Sequence, residues 1–442
     1  MSLSRPNVLV LLTDQQRWDC AGLHGNPLEL MPNFDRLAQA GTHLRHSFTC
    51  QPVCAPARAA LQTGRYPTQI GTFRNDRPFP PATRTLAHCF GEAGYRTSYI
   101  GKWHLGPREF AGAVPPASRG GYQDWLAANL LEFVSDAYDC RLYDEAGVEH
   151  RLPGYRADAV TDAAIGYLAR PRTQPFFLFV SYLEPHHQNS RDDYPAPDGC
   201  AERYHGRWVP PDLAALGGTT AAHLAGYYGM VRRLDEGLGR IYDALKSTGQ
   251  LANTIVLFTS DHGCHFKTRN AEYKRSCHES SIRVPTLFHG PGFMSGGDRP
   301  ELVGLIDLPP TLLDAAGLPV PPEMQGRSLL SRIKSSAAPW RDEIFVQISE
   351  DQTARALRTR QWKYCVCVQG ADAAAACQHA SWPAYAEESL YDLHADPHEL
   401  TNLAGLASHE AIAAELRARL LQRIVAAGEP LPTITPAARR AA

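Results

Sequence analysis

The sequence predicts an α/β fold in which a large, mostly parallel sheet is sandwiched by helices, followed by a smaller α+β domain at the carboxyl end. Three observations carry this prediction. Short β-branched and aromatic runs alternate with longer helical patterns through most of the chain, which is typical of parallel strands joined by crossover helices. The runs are apolar at nearly every position, as in strands covered by helices on both faces. After about residue 335 the alternation stops, and strands follow one another without helices between them.

Five runs are predicted as strands of the large sheet, because each is short, apolar and rich in β-branched or aromatic residues. They are NVLVLL (7–12), TSYIG (97–101), FFLFVSY (176–182), TIVLFTS (254–260) and VPTLFHG (284–290). The clearest helix lies between the third and fourth runs. There, apolar residues recur at steps of three and four from Leu224 to Leu245, and Gly249 follows the last of them.

The carboxyl-terminal part of the chain predicts a separate small domain. EIFVQI, ALRTRQWKYCVCV and SLYDL resemble strands, and an amphipathic helix follows them. We therefore divide the chain into an α/β domain at 1–337 and an α+β domain at 338–442. The tail at 431–442 has little to bury and is expected to be mobile.

Composition limits the classes of function. The chain has 442 residues, of which 44% are hydrophobic and 20% charged, and its formal net charge is −2. These values are ordinary for a globular protein, so we expect no nucleic-acid and no membrane partner. The apolar run near the start is too short to span a bilayer and has no cleavage site after it. We expect a cytoplasmic protein as written, or a periplasmic or secreted one if a leader has been removed.

Cysteine spacing and loop composition add two expectations. The chain has 11 cysteines and no paired CxxC motifs, which indicates reduced, mostly buried thiols rather than a zinc site or a disulfide framework. Two stretches rich in Pro and Gly, at 107–121 and 187–219, are long for loops inside a compact domain. We expect them to form the rim of a site.

Two of the predicted strands end in polar pairs. The first strand runs into Asp14 and Gln15, and the fourth runs into Asp261 and His262. Because ligands gather outside the carboxyl ends of strands in doubly wound sheets, both pairs are expected to face one crevice. Two carboxylates, a carboxamide oxygen and an imidazole suit a divalent metal, with Ca²⁺ favoured and Mn²⁺ or Mg²⁺ next. The alternative is that both aspartates only cap the helices that follow them.

The stretch CAPARAALQTGR at 54–65 places a cysteine, a proline and an arginine at the start of a helical pattern. Proline suits the first turn of a helix, so Cys54 is expected at the amino end, where free N–H groups and the dipole favour an anion. Arg58 lies one turn further on and can direct its donors to the same place. The stretch therefore predicts a site for an anionic substrate. The alternative is a small buried cysteine beside an ordinary helix.

The same stretch resembles the type I sulfatases of the alkaline-phosphatase superfamily, because CAPAR matches their C-x-P-x-R signature and LQTGR extends the match. Further blocks resemble the family in the family's order and span most of the chain, and the resemblance implies an alkaline-phosphatase-like fold for the large domain. These blocks are GKWHLG (101–106), SYLEPHH (181–187), NTIVLFTSDHG (253–263), SSIRVP (280–285) and LYDLHADPHELTNLA (390–404).

The resemblance implies that a formylglycine-generating maturation enzyme oxidises Cys54 to formylglycine, whose aldehyde hydrates to a geminal diol. One hydroxyl of the diol, activated by the metal, attacks sulfur and releases the alcohol. Loss of the proton from the second hydroxyl then restores the aldehyde and expels sulfate. The modified Cys54 is also expected to join the metal shell, and Arg58 is expected to hold it. On this basis the chain hydrolyses a sulfate monoester to an alcohol and inorganic sulfate.

The resemblance further implies roles for basic side chains around the diol. Lys102 and His104 of GKWHLG are expected to neutralise the sulfate and to assist proton loss from the diol. His186, rather than the neighbouring His187, is expected to help protonate the leaving oxygen. Lys274 resembles the second sulfate-binding lysine of the family. The substrate is expected to be a small sulfated sugar, aryl sulfate or alkyl sulfate.

Two positions depart from the commonest family pattern. Many members carry a second aspartate where this chain has Gln15, and an asparagine where it has His262. The Gln and His pair also occurs in phosphonate monoester and phosphodiester hydrolases of the superfamily, so a hydrolase of that kind is the alternative function. GKWHLG is typical of the sulfatase branch instead. A third hypothesis is a non-catalytic binding protein that keeps Cys54 as a core thiol.

Overall fold

The computed structural model describes residues 5–440 and builds them around two sheets. The larger sheet runs through the middle of the molecule. Its strands are β1 (Asn7–Thr13), β2 (Thr42–Phe48), β3 (Arg96–Lys102), β4 (Asp124–Ala128), β5 (Cys140–Tyr143), β6 (Glu149–Leu152), β7 (Phe176–Ser181), β8 (Thr254–Ser260), β9 (Leu287–His289) and β10 (Gly297–Gly304). Their order across the sheet is β10-β2-β9-β8-β1-β7-β3-β4-β5-β6.

Pairing in this sheet is mixed and mostly parallel, as predicted. β1 pairs in parallel with β7 and β8, β3 pairs in parallel with β4 and β7, and β10 pairs in parallel with β2. The antiparallel pairs are β2 with β9, β8 with β9, β4 with β5 and β5 with β6.

One predicted strand differs from the structure. The run at 284–290 contains only a short strand, Leu287–His289, and this strand is antiparallel to both of its neighbours. The chain leaves β8 at the carboxyl edge and has only the short helix Glu279–Ile282 before it re-enters the sheet. Because no long crossover carries the chain back to the opposite edge, the returning strand runs in the opposite direction.

Helices cover both faces of the large sheet. Within residues 5–440 the α-helices are α1 (Pro32–Ala40), α2 (Cys54–Thr63), α3 (Pro67–Ile70), α4 (Leu86–Glu92), α5 (Leu131–Val134), α6 (Arg156–Leu168), α7 (Pro211–Leu216), α8 (Thr220–Ser247), α9 (Glu279–Ile282), α10 (Leu308–Ala315), α11 (Leu330–Lys334), α12 (Ala373–Ala376) and α13 (Glu410–Ala426). None of the helices in this part of the chain is both long and apolar enough to cross a bilayer.

Alternate residues of β1 pack into two different cores. Leu9 and Leu11 lie in a core with residues of α1, α6 and α8, whereas Val8 and Val10 lie in a core with residues of α2, α4 and α10. The strand is therefore buried on both sides, which explains its uninterrupted apolar sequence. The predicted helix around Leu224 to Leu245 is α8, and its apolar stripe packs against the first core.

The second sheet contains the strands predicted for the small domain. They are β11 (Glu343–Ile348), β12 (Ala354–Thr359), β13 (Trp362–Cys367), β14 (Ala384–Asp392) and β15 (Thr433–Thr435) in that order across the sheet. The first four are antiparallel neighbours, and β15 adds in parallel to β14. Helix α13 packs on this sheet through Leu416, Leu420 and Ile424.

The carboxyl-terminal tail is more ordered than predicted. Thr433–Thr435 forms a strand, and Arg440 bridges to Leu406. The backbone of the tail thus finds partners although its side chains bury little. The last two residues of the tail lie outside the described part of the chain.

The two sheets share an apolar cluster. Phe48 and Leu302 from the large sheet pack with Ile344 and Val346 of β11. We propose the domain boundary at 337/338, because this position lies between the last helix of the large layer and the first strand of the small sheet.

The cysteines are unpaired thiols, as predicted. All of them are free, and each is buried except Cys200, which is partly exposed.

Candidate active site

The carboxyl ends of β1 and β8 bring the two polar pairs side by side. The strands are parallel neighbours, and Thr13 lies opposite Ser260 in their register. Asp14 and Asp261 follow these two residues, and the backbone N–H of Gln15 donates to Asp261 Oδ1 at 3.0 Å. Gln15 turns the chain out of the strand with a left-handed backbone at φ 68°. The two strand ends therefore form one floor, at the edge where a doubly wound sheet binds ligands.

Helix α2 presents Cys54 to this floor. Cys54 is the first residue of the helix and is 1% exposed. Its Sγ lies 3.6 Å from Asp14 Oδ1 and 3.4 Å from His262 Nε2. Pro56 lies in the first turn, and Gly64 ends the helix in the left-handed conformation at φ 67°. The sequence signals at both ends of CAPARAALQTG thus define a short helix whose amino end lies on the floor.

Four buried side chains at this point can hold one cation. The ligand atoms of Asp14, Cys54, Asp261 and His262 all lie within 4.8 Å of one another. His262 Nδ1 lies 3.0 Å from the carbonyl oxygen of Gly263. Because a carbonyl only accepts, Nδ1 carries a proton, and the neutral form of the ring therefore presents the lone pair of Nε2 to the floor.

The surroundings of that lone pair fit a metal. His262 Nε2 lies 3.6 Å from Asp14 Oδ1 and 3.5 Å from Asp261 Oδ1, and all three atoms are acceptors. Asp261 Oδ2 accepts no hydrogen bond from the residues that the structure describes. Acceptors that converge in a buried space are stabilised by a cation, and this donor set suits a divalent ion.

Lys274 connects Gln15 to Cys54. The carboxamide Nε2 of Gln15 donates to Tyr194 Oη at 2.9 Å, which leaves Oε1 as the acceptor for Lys274 Nζ at 3.4 Å. The same ammonium lies 2.9 Å from Cys54 Sγ and 3.2 Å from His186 Nε2. A single positive group therefore contacts the side chain at 54, a predicted metal ligand and a predicted acid.

Arg58 and Lys102 hold the far side of Asp14. Arg58 Nη2 and Lys102 Nζ donate to Asp14 Oδ2 at 2.9 Å and 2.8 Å. Arg58 also donates to Ser181 Oγ at 2.7 Å, and its Nε lies 3.2 Å from Asp261 Oδ2. The sequence predicts that Arg58 directs its donors at position 54, whereas the guanidinium contacts the two aspartates. The reason is geometric, because the side chain one turn along α2 reaches the floor beneath Cys54.

The charged groups of this cluster shift one another's pKa values. Burial opposes the ionisation of Asp14, but Lys102 and other nearby cations hold its pKa well below the usual range. Burial also opposes the ionisation of the Cys54 thiol, yet Lys274 and Lys102 lower its pKa well below the usual value. Burial and the neighbouring Asp14 raise the pKa of Asp261 to about 6. The site therefore stabilises an anion at position 54.

Two histidines flank the same space. Burial and Lys274 lower the pKa of His186, so its ring is neutral, with Nδ1 2.7 Å from the carbonyl oxygen of His187. The ring of His187 stacks on His186 with centroids 4.3 Å apart. His104 has a left-handed backbone at φ 57°, and its Nδ1 lies 3.7 Å from Glu132 Oε1. Contact with Lys274 distinguishes His186 from its neighbour.

A cavity of about 280 Å³ opens above Cys54. Four predicted site residues line it, namely Cys54, His104, His186 and Lys274, and the other six lie buried below. The predicted rim stretches contribute Arg108, His187 and Asn189. The remaining lining residues are Arg74, Asn75, Asp76, Leu130, Glu132, Phe133, Glu272, Arg275 and Glu350.

Sequence reasoning missed two residues of this site, one in the cavity and one beneath it. Glu132 contacts Lys102 and His104, and Tyr194 orients the Gln15 carboxamide. One signal for Glu132 is present in the sequence, since it is the single charged residue of the apolar run LLEFV. Nothing in the sequence pattern marks Tyr194, because its contact depends on how a long loop folds back.

Two sulfatase family models and a sulfatase relative match this chain. The profile described as Sulfatase matches residues 6–318, and the profile described as N-sulphoglucosamine sulphohydrolase, C-terminal, matches residues 271–426. The ulvan-active sulfatase of Formosa agariphila is 28% identical over 448 residues, which covers 96% of this chain and 82% of that protein.

Two solved structures share the fold. One, in complex with its substrate D-glucosamine-2-N,6-O-disulfate, has a TM-score of 0.78 at 22% identity and covers 96% of this chain and 98% of its own. The phosphonate monoester hydrolase of Agrobacterium radiobacter has a TM-score of 0.70 at 25% identity, with 96% of each chain covered.

The Sulfatase profile covers well over half of the chain, and the sulfatase relative aligns with nearly all of it. The ten-stranded mixed sheet and the small carboxyl-terminal sheet agree with the architecture of the solved structures. These findings contradict the hypothesis of a non-catalytic binding protein. The chain belongs to the sulfatase family of the alkaline-phosphatase superfamily and is a sulfuric ester hydrolase.

Proposed function

We propose that this enzyme hydrolyses a sulfate monoester to an alcohol and inorganic sulfate with a formylglycine derived from Cys54 and one divalent metal. One observation carries the proposal. Cys54 lines the cavity while its Sγ lies within 3.6 Å of Asp14 and His262 and 2.9 Å from Lys274. A group at this position reaches both the predicted metal ligands and a cation that can hold the sulfate.

Asp14, Gln15, Asp261 and His262 would hold the metal together with the modified side chain at 54. Three oxygen donors and one imidazole favour Ca²⁺, with Mn²⁺ or Mg²⁺ as alternatives. When bound, the metal supplies Lewis-acid polarisation of an oxygen at the reacting centre.

The two lysines are proposed to neutralise the sulfate. Lys274 Nζ contacts the side chain at 54, and Lys102 is fixed by Asp14 at 2.8 Å. Arg58 keeps Asp14 in place from the other side. Because these cations are already buried and oriented, they stabilise the developing charge of the transferring group without reorganisation.

The two histidines are proposed to move protons. His186 would help protonate the leaving oxygen of the alcohol by passing on a proton from the Lys274 ammonium, and His104 would accept the proton that position 54 releases. Both line the cavity, so both can approach a bound ester. The neutral ring of His186 can accept the lysine proton at Nε2, because the Lys274 ammonium lies 3.2 Å from that atom and can donate to it.

A maturation enzyme would be the partner that converts Cys54. The hydrated aldehyde supplies one hydroxyl as the nucleophile and a second whose deprotonation expels sulfate. A thiol has no such second group, so the unmodified chain is expected to be inactive.

A phosphonate monoester or phosphodiester hydrolase is the second candidate. Gln15 and His262 favour it, and so does the shared fold of the Agrobacterium hydrolase at a TM-score of 0.70. The alcohol part of the ester is proposed to be a sugar, an aryl group or an alkyl group, and the relative that acts on ulvan supports a sugar.

Mass spectrometry and paired substrates test this proposal. The chain is produced with and without a formylglycine-generating enzyme, and the mass of the peptide that contains residue 54 is measured. We expect the mass of an aldehyde at residue 54, release of sulfate from 4-nitrophenyl sulfate, and loss of that release on chelation, with recovery on addition of Ca²⁺. Cys54→Ala removes the activity, and Cys89→Ala, a buried thiol outside the site, keeps it.

Faster hydrolysis of a phosphonate monoester than of the sulfate ester by the modified protein would favour the second candidate. Equal sulfate release by modified and unmodified protein would contradict the role of formylglycine.

A further inference from the structure

We infer that Glu132 accepts a hydrogen bond from a hydroxyl or amine group next to the sulfate ester, so that the substrate is the ester of a vicinal polyol or amino alcohol, as in a sugar. The inference rests on the proposed function, because it concerns the same cavity. It assigns a specificity-determining role to a residue outside the predicted catalytic set.

Glu132 is a charged residue in an apolar setting. It lies in the one-turn helix α5, between Leu131 and Phe133, and is only 4% exposed. It lines the same cavity as Cys54 and His104. A carboxylate is buried this deeply only where partners stabilise its charge.

The partners of Glu132 leave part of its carboxylate unused. Oε1 lies 3.1 Å from Lys102 Nζ and 3.7 Å from His104 Nδ1. Oε2 accepts no hydrogen bond from residues 5–440. Burial opposes the ionisation of Glu132, but Lys102 and His104 prevail and hold its pKa below the usual value, so the group is an acceptor only.

A hydrogen-bond donor on the substrate would supply the partner that Glu132 Oε2 lacks. A buried acceptor without a partner costs free energy, and hydrogen bonds to charged groups are stronger than neutral ones. The last torsion of a glutamate side chain is soft, so the carboxylate can turn an oxygen toward a donor in the cavity. The pairing with Lys102 uses Oε1 alone, and Asp14 also pairs with that lysine at 2.8 Å, so this structural role leaves Oε2 without a partner.

The neighbouring residues indicate what carries the donor. A second anionic group beside Glu132 would be repelled, whereas a neutral hydroxyl would not. Phe133 also lines the cavity and is 63% exposed, which gives the mouth an apolar wall. A ring with an apolar face and hydroxyl groups along its edge matches this combination.

Binding of two matched esters tests the inference without turnover. The full chain with Cys54→Ala is titrated by calorimetry with 2-hydroxyphenyl sulfate and with 2-methoxyphenyl sulfate, which differ in the hydrogen-bond donor next to the ester. We expect the hydroxyl ester to bind about 10- to 100-fold more tightly. This first comparison requires no change at position 132.

Adding Glu132→Gln to the same chain is expected to lower this ratio, because a neutral carboxamide oxygen is a weaker acceptor than a carboxylate and the NH₂ group can donate to either ester. Glu272→Gln is the matched control, since Glu272 lines the same cavity and is already paired with Arg275 at 2.8 Å. The Glu272→Gln variant should still bind the hydroxyl ester more tightly than the methoxy ester. Thermal unfolding shows that each variant is folded.

Equal affinity for the two esters, or an unchanged preference in Glu132→Gln, would overturn the inference and leave the proposed function intact. Binding of neither ester would count against a sulfate-ester site itself, and the inference would fall with it.

Discussion

Lys274 shows how much of the site depends on one side chain. Its ammonium lies 2.9 Å from Cys54 Sγ, 3.2 Å from His186 Nε2 and 3.4 Å from Gln15 Oε1. The lysine is 4% exposed, so its charge acts in a space with little water to screen it.

Removal of this charge should therefore slow the reaction strongly. We expect Lys274→Met in the modified enzyme to lower kcat/KM for an aryl sulfate by about 100-fold or more, the effect of losing one preorganised group at a developing charge. Lys267→Met is the control, because Lys267 pairs with Asp192 away from Cys54 and should change the rate by less than about 3-fold. Steady-state kinetics measures both, and a loss below 10-fold for Lys274→Met would contradict the role.

At the residue scale, motif spacing predicts the polar floor well. Asp14 and Asp261 could be placed together because parallel strands end at the same edge of a sheet, and Cys54 could be placed at a helix start because of Pro56. Glu132 could not be placed from the sequence, because its contact with Lys102 depends on the position of a one-turn helix beside the cavity. Such a helix has no periodicity of its own.

Helix α2 is the element that positions Cys54, the proposed reacting residue. It is ten residues long and buried throughout, and its last turn closes on Gly64, whose N–H donates to the carbonyl of Ala60. At φ 67° a residue with a side chain is strained, and a Cβ at this position would lie 3.0 Å from Met324 Sδ.

Gly64→Ala should therefore destabilise the protein by roughly 1–2 kcal/mol. Gly91→Ala is the matched control, since Gly91 lies inside α4 at an ordinary backbone angle, and a Cβ there meets only Thr97 Cγ2 at 3.9 Å. Alanine at that position should be neutral or stabilising. Urea unfolding measures both changes, and equal effects would show that the left-handed conformation is not the cause.

At the element scale, the apolar strands at the middle of the sheet are predictable and its edges are not. β1 and β8 are apolar on both faces and stand out in the sequence. β10 contains Pro300, and its register shifts between Arg299 and Leu302, so its sequence resembles a loop. The direction of β9 depends on a connection without a crossover helix, which apolarity alone does not reveal.

Buried titratable groups make the stability of the whole molecule depend on pH. Burial lowers the pKa of His265 to about 4 and that of His46 to about 3. The unfolded chain binds these protons near pH 6.5, so the stability that the neutral rings contribute is present above that pH and is lost as the pH falls toward 4. Burial raises the pKa of Asp235 to about 6, and its contribution has the opposite sign because it is lost as the pH rises from about 3.8 through 6.

His265→Gln isolates one of these contributions. His265 Nε2 lies 3.0 Å from the carbonyl oxygen of Lys274, and a glutamine Nε2 can replace this donor without titrating. We expect the loss of unfolding free energy between pH 7 and pH 4 to shrink by roughly 2–3 kcal/mol. Urea unfolding at the two pH values measures it. His394→Gln, at an exposed position, should leave the difference unchanged, and an equal change in both variants would contradict the explanation.

At the scale of the whole molecule, the sequence predicts two sheets in two domains but not the packing between them. Alternation of strands and helices, followed by strands alone, separates the large sheet from the small one. The packing of Phe48 and Leu302 against Ile344 and Val346 links them into one apolar cluster. Each of these residues looks like ordinary core in its own segment, so the sequence gives no sign that they meet.

The depth of Cys54 constrains the order of events during biosynthesis. Its sulfur lies at the inner end of a helix that is buried from first residue to last, and the side chain is 1% exposed. The cavity of about 280 Å³ above the sulfur is far too small to admit another protein. We therefore expect an enzyme that modifies this residue to act before the chain folds, and a molecule that folds first to keep its thiol.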